Sequence, residues 1–293
     1  MGTTELPNLD AFWNYGDPVA TEGKFRTLLP QAEASGDADY QLQLLTQIAR
    51  TQGLQGKFDL AHATLDGVEM QLGERDLPVA RVRYLLERGR VFNSSGKPDR
   101  ALPLFVEASE LGQRILHWRF AIDAVHMAAI AAPTPAEQVA WGRRGVALVL
   151  DHPDQCDWLF ALYNNLGEAY LRQSRYDDAL ACFRNYVALN VERRQEPDIF
   201  ATKDIAKCLR LLGDADEALA TIAPVHAKLE ASGQRDGWIS EEYAECLLAK
   251  GSNQDALPHF EAALELLSND SWVVANDSEK LDHLRERIAQ LRR

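Results

Sequence analysis

Apolar residues recur along this chain at intervals of three and four, and nowhere in strict alternation with polar ones. The first spacing puts side chains on one face of a helix, whereas alternation would mark a strand. The pattern therefore predicts an all-α fold. Its clearest stretch runs from Phe160 to Leu189. Tyr163, Leu166 and Tyr170 share one helical face, a polar turn follows at Ser174-Arg175, and Ala179 and Phe183 resume the spacing. Gly167, lacking a Cβ, lets a partner helix approach closely. Ala179 is small where the second helix crosses the first, and Phe183 fills the gap one turn later. Taking Ala179 as anchor, the same step recurs at Ala61, Ala101, Ala140, Ala218 and Ala256, at successive spacings of 40, 39, 39, 39 and 38 residues. Leu65, Phe105, Phe183, Ile222 and Phe260 each fall four residues after an anchor. Arg144 breaks that series and leaves Trp141 or Val146 to take over its packing role.

An aromatic, then Leu166-Gly167, then Tyr170, with Ala179-x-x-x-Phe183 beyond a turn, resembles the tetratricopeptide repeat (TPR) helix–turn–helix unit. The pitch of 38–40 residues is longer than the usual ~34, so the helices or their joints are extended. The resemblance implies a right-handed α-solenoid, a superhelix of TPR-like helix pairs with no sheet. Residues 1–16 form a lead-in whose Leu9, Phe12 and Trp13 are placed to dock on the first helix. Residues 17–277 form the array, and residues 278–293 a C-terminal capping helix. Within the array an unpaired helix starts at Asp17-Pro18, is expected to kink at Pro30, and ends at Gly36. Six pairs follow: 38–54 with 57–72, 77–94 with 98–113, 116–132 with 135–150, 155–173 with 176–193, 198–212 with 215–231, and 237–250 with 253–267. Gly or Pro stands in nearly every turn between partners, which ends one helix and starts the next. The last segment carries Leu281, Leu284, Ile288 and Leu291 as an apolar stripe, as the terminal cap of an array requires.

Composition narrows the function. Lys plus Arg number 31 against 44 Asp plus Glu, a formal charge of −13, and such a field repels nucleic acid and anionic membranes. No run approaches the ~20 apolar residues that span a bilayer. No basic-then-apolar leader is present at the N-terminus. Cys156, Cys182, Cys208 and Cys246 are widely spaced and read as reduced packing residues. These features together point to a cytoplasmic protein.

Little suggests chemistry. Ser95-Gly96-Lys97 and Gly53-Leu54-Gln55-Gly56-Lys57 echo a phosphate loop but fall in repeat turns and follow no strand. Asp151, His152, Asp154, Cys156 and Asp157 gather in one joint without the spacing of a metal-ligand set. The histidines are scattered, with no two at i, i+4. The chain is thus expected to need neither metal nor cofactor and not to be an enzyme.

What remains is the face of the first helices, which in the family this chain resembles lines the concave groove and touches bound peptide. That register implies Arg50, Arg83, Arg90, Asn164, Asn165, Lys203 and Lys207 as groove residues. The last pair supplies Glu241, Glu242 and Glu245. Asn offers a donor and an acceptor for the backbone of an extended peptide. The carboxylate-clamp branch of the family uses a Lys/Asn/Asn/Lys/Arg set, which Arg50, Arg90, Asn165 and Lys203 echo in part. The expected function is a protein- or peptide-binding scaffold, with an extended partner of asymmetric charge. Two alternatives are a peptide-responsive sensor subunit acting through another chain, and a homo-oligomer formed through Trp13, Trp238 or Trp272.

Overall fold

The computed structural model describes residues 6–73, 75–194 and 198–293. Among these residues every regular element is helical. The chain divides into two compact units, Met1–Leu162 and Tyr163–Arg293.

The first unit opens with a 3₁₀ turn, Leu9–Phe12, capped by the Asn8 side chain. Leu9 is buried, and Trp13 meets Phe25 edge-on at 5.4 Å, so the lead-in does dock on the first helix. That helix, α1 (Pro18–Ser35), starts with the Asp17 carboxylate accepting from the Ala20 N–H and ends at Gly36 with φ +72°. It continues through Pro30, whose side chain is exposed. Three antiparallel pairs follow: α2 (Ala38–Leu54) with α3 (Phe58–Leu72), α4 (Pro78–Ser94) with α5 (Pro98–Arg114), and α6 (Trp118–Ala131) with α7 (Pro135–Asp151). A 3₁₀ turn at Pro153–Gln155 leads into α8 (Trp158–Leu171), within which the division between units falls.

The second unit pairs α10 (Ile199–Leu211) with α11 (Ala215–Ala231), and α12 (Gly237–Ala249) with α13 (Asn253–Ser268). Helix α9 (Tyr176–Arg194) packs on α10. A short helix, α14 (Ser271–Asn276), precedes α15 (Ser278–Leu291), which lays buried Leu281, Leu284 and Ile288 against α13. The segment before α15 is polar except for Trp272, Val273 and Val274; Asp270 caps α14 by accepting from the Trp272 and Val273 N–H groups, and Val273 is fully buried.

The repeat register holds at five of the six anchors. Ala61, Ala101, Ala179, Ala218 and Ala256 are fully buried, as are Leu65, Phe105, Phe183, Ile222 and Phe260. The third pair departs. Ala140 is exposed, and Val139, Gly142, Gly145 and Val149 face inward instead. The small residue in that seam is Gly145, where a Cβ would lie 2.5 Å from Leu162.

The turns repeat one backbone device. After α2, Lys57 N–H donates to Gln52 C=O and Gly56 N–H to Gly53 C=O, and Gly56 sits at φ +73°. The same two bonds recur after α4, α5, α8, α10, α11 and α12. This is the helix-ending arrangement that needs one residue in the left-handed region. Glycine supplies it in most of these turns, but Leu116 (φ +57°) and Ser174 (φ +56°) do so after α5 and α8.

Candidate functional site

In the first unit the initial helices of successive pairs, α2, α4 and α6, lie side by side. Arg83, Glu87 and Arg90 are spaced four and three apart on α4 and therefore share a face. Arg50 comes to the same place from α2, and Asp123 and His126 from α6. These side chains line a cavity of about 220 Å³ with Asp10, Tyr15, Arg119, Phe120 and Trp158.

The pocket is a network of ions. Asp123 accepts two hydrogen bonds from Arg90, at 2.5 and 2.6 Å. Glu87 accepts from Arg90 at 2.7 Å and from Arg50 at 3.4 Å. The Arg50 guanidinium also lies over the stacked rings of Trp13 and Tyr15. Asp10, from the lead-in, accepts from Arg83 at 3.2 Å and from Arg119 at 2.6 Å. Arg83 packs over Phe120. Four guanidinium groups thus face three carboxylates. Burial alone would raise the Asp123 pKa, but Arg90 and Arg50 outweigh it and hold the carboxyl below its usual range. Burial pushes His126 down, so its imidazole is neutral at neutral pH. Glu87 is only 2% exposed and Arg83 8%, yet Glu87 Oε2 and Arg83 Nε have no hydrogen-bond partner among the described residues. A buried polar atom left so is costly, which makes the pair a place where a polar ligand would gain.

The residues expected to form the binding face divide between the units. Arg50, Arg83 and Arg90 converge in the pocket of the first. In the second, half-buried Asn164 and Asn165 adjoin one another, 3.5 Å apart. Lys203 pairs with Asp204 at 2.8 Å. Lys207 lies close enough to Glu168 to lower its pKa, though burial and then Asp204 win and raise it overall. The three glutamates are buried and already engaged: Glu241 with Lys280, Glu242 with Arg210, and Glu245 with Arg287. Lys280 and Arg287 come from α15.

Several members escaped the sequence reading. Asp10, Tyr15 and Arg119 lie outside the first-helix register, since Asp10 and Tyr15 belong to the lead-in and Arg119 opens α6. Asp123 was one turn from His126 on the same helix, and that spacing was the available signal. Of the three tryptophans, Trp272 is exposed at 60%, whereas Trp13 and Trp238 are half-buried. Among the described residues no helix is long and apolar enough to cross a membrane. The buried cysteines Cys182, Cys208 and Cys246 have thiols pushed up to about 12 by burial, which keeps them protonated and unreactive.

Comparison with known proteins places this geometry. Residues 164–223 match the tetratricopeptide repeat family model. A tetratricopeptide repeat protein from Parabacteroides merdae is 15% identical, with 97% of this chain and 96% of that one aligned at a TM-score of 0.54. A Signal Transduction ATPase with Numerous Domains (STAND) protein with a tetratricopeptide repeat sensor, from Pyrococcus horikoshii, aligns over 92% of this chain at 12% identity and a TM-score of 0.72. This chain spans 42% of the length of that protein. NprR, in complex with its cognate peptide NprX, aligns over 97% of this chain and 81% of its own at 11% identity and a TM-score of 0.51. No curated protein matches the sequence. The family match thus extends over residues 164–223, and the chain has the all-α solenoid fold of these structures.

Proposed function

We propose that the chain is a non-enzymatic scaffold that holds a protein or extended peptide against its first helices, and that the pocket of the first unit takes an acidic side chain or a terminal carboxylate. TPR folds present stacked helices as a surface suited to extended partners. One observation carries the finer reading: the chain's own Asp10, on a short lead-in, places a carboxylate between Arg83 and Arg119. A partner's carboxylate would meet the same two guanidinium groups, with Arg83 Nε beside them. In the second unit Glu241, Glu242 and Glu245 already hold Lys280, Arg210 and Arg287, so a basic residue of a partner with asymmetric charge would have to displace an internal cation there.

The test is a peptide array of acidic, basic and mixed extended sequences, followed by titration of the best binder. Affinity should fall as salt rises. It should fall at least tenfold in Arg119→Glu and rise in Asp10→Asn, where the internal competitor is neutralised. Selection of uncharged peptides, or equal affinity in all three proteins, would refute the reading.

A sensor role is the second reading. It is favoured by the same lead-in, because a ligand that displaces Asp10 would also loosen Trp13 and Tyr15 from Arg50. NprR, of similar fold, is described with a cognate peptide.

A further inference from the structure

The second unit brings together three side chains that are far apart in sequence. His226 and Glu230 lie one turn apart on α11, and His259 reaches them from α13. In the repeat these are the positions eight and twelve after Ala218 and three after Ala256. The second helices of neighbouring pairs therefore meet there. No two histidines stand i, i+4 on one helix, but packing brings His226 and His259 together across two.

We propose that His226, Glu230 and His259 bind a divalent transition-metal ion of the zinc class, stapling α11 to α13 and leaving a coordination position for water or an outside donor. One ligand atom from each residue already lies within 4.8 Å of the others. His226 Nδ1 is 3.6 Å from Glu230 Oε2. Donors around a tetrahedral zinc with bonds of ~2.0–2.1 Å stand roughly 3.3 Å apart, so the widest gap must close by about 1.5 Å. The three residues are unequally free to move. His226 is buried and stacked on Tyr243, with ring centroids at 4.3 Å. The Tyr243 ring also meets His259 edge-on at 4.8 Å, and the two imidazoles are nearly perpendicular at 88°. The Glu230 carboxylate is largely exposed, at 61%, and swings without cost to packing.

The surroundings suit a metal. The three residues line a cavity of about 260 Å³ whose wall also holds Gln234, Asp236 and Ser240, so oxygen donors and water have room beside the ion. Arg235, the nearby cation, points its guanidinium at Glu265, 3.5 Å away. Burial lowers the pKa of both histidines, and His226 lowers that of His259 further. The neutral imidazole is the form that ligates. Two imidazoles and one carboxylate select zinc and its neighbours over magnesium or calcium, which prefer all-oxygen sets. An aromatic cluster of His226, Tyr243 and His259 needs packing alone, but it gives no reason for Glu230 to stand within reach.

The full-length chain, stripped with chelator and held reduced, is titrated with Zn²⁺ by calorimetry and with Co²⁺ by visible absorption. One ion per chain is expected. Bound Co²⁺ should show the intense d–d bands of a four- or five-coordinate site without thiolate charge transfer, which separates it from the cysteines. Zn²⁺ should raise the midpoint of thermal unfolding. His259→Gln and Glu230→Gln, at half-buried and exposed positions, should each weaken binding at least ~10-fold while circular dichroism stays unchanged. His226→Gln is a further variant, but the other two suffice if it fails to fold. Absence of stoichiometric binding, thiolate bands on Co²⁺, or wild-type affinity in both variants would overturn the proposal.

Discussion

Two glycines inside helices of the first unit should respond to the same substitution with opposite sign. Gly89, on α4, sits against the ring of Phe105 on α5. A Cβ there would lie 2.5, 2.8 and 2.9 Å from three ring carbons, and Phe105 is fully buried. Gly67, in α3, has nothing within 4 Å of where its Cβ would stand. Alanine at either position gains about 1 kcal/mol of helix propensity over glycine. At Gly67 that is the whole effect, so Gly67→Ala should stabilise by about 0.5–1 kcal/mol. At Gly89 an overpacking cost of about 1–3 kcal/mol opposes it, leaving Gly89→Ala destabilised by up to ~2 kcal/mol. Urea unfolding followed by circular dichroism measures both, read from midpoints at unchanged m-value. In the Gly89→Ala background, Phe105→Leu should cost less than it does in the wild type, because the smaller side chain relieves the overlap. If Gly89→Ala proved as stable as wild type, or if the two glycine variants shifted together, the close approach of α4 and α5 would not be what the seam depends on.

The other expectations rest on single features. Phe183 is fully buried against Gly167, and Phe183→Ala should cost ~3–5 kcal/mol by urea unfolding, with a broadened transition as units uncouple. Arg90→Met leaves Asp123 and Glu87 buried without their common partner and should cost about 3–5 kcal/mol. Arg119→Ala, half exposed on the same pocket, should cost under ~1 kcal/mol. Leu116 is 70% exposed at φ +57°, so Leu116→Gly should stabilise by about 0.5–1 kcal/mol, read as a higher urea midpoint. His62, His117, His126, His226 and His259 all have pKa values lowered first by burial. The unfolded chain then binds more protons than the folded one, and this part of the stability, complete above about pH 6.5, is lost as pH falls towards the lowered values. The raised Glu168 works against it, so a Glu168→Gln chain in chelator should show the fall in urea midpoint between pH 7.5 and 5.5 more clearly. A rise there would contradict the assignment.

Most helices and their ends were legible because nearly every turn carries glycine or proline with a local, chain-independent role; the short α14 was not. Ala140 misled because the repeat pattern pairs an alanine with a large residue four on, whereas Gly142 and Gly145 take the inward face of α7. A glycine carries no hydrophobic signal. It becomes visible only through the side chain that fills its space, here Leu162. The ions were misjudged for a different reason. Arg83 meets Asp10 across 73 residues, and Glu241 meets Lys280 across 39. Periodicity fixes which face a charge occupies, but not which distant charge arrives opposite. The chain's two ends, read as lead-in and cap, turn out to supply those partners.

That pairing changes what a charged first-helix face means. Arg90 has both terminal nitrogens taken by Asp123 and Glu87, so its work is to hold α4 to α6. Reversing it to glutamate would place three carboxylates together in a buried site and test folding rather than recognition. Arg119 is different, since it is half exposed and bonded to Asp10 on the lead-in. An incoming carboxylate that replaces Asp10 exchanges like for like, and the electrostatic gain nearly cancels. The internal carboxylate also competes at the high effective concentration of a short tether. Affinity must then come from what Asp10 does not already satisfy: Arg83 Nε, Glu87 Oε2 and the aromatic surface of Trp13, Tyr15 and Phe120. A partner that brings a carboxylate, a neighbouring hydrogen-bond donor and an apolar side chain on one short extended segment meets all three, whereas a bare acidic tail meets only the first.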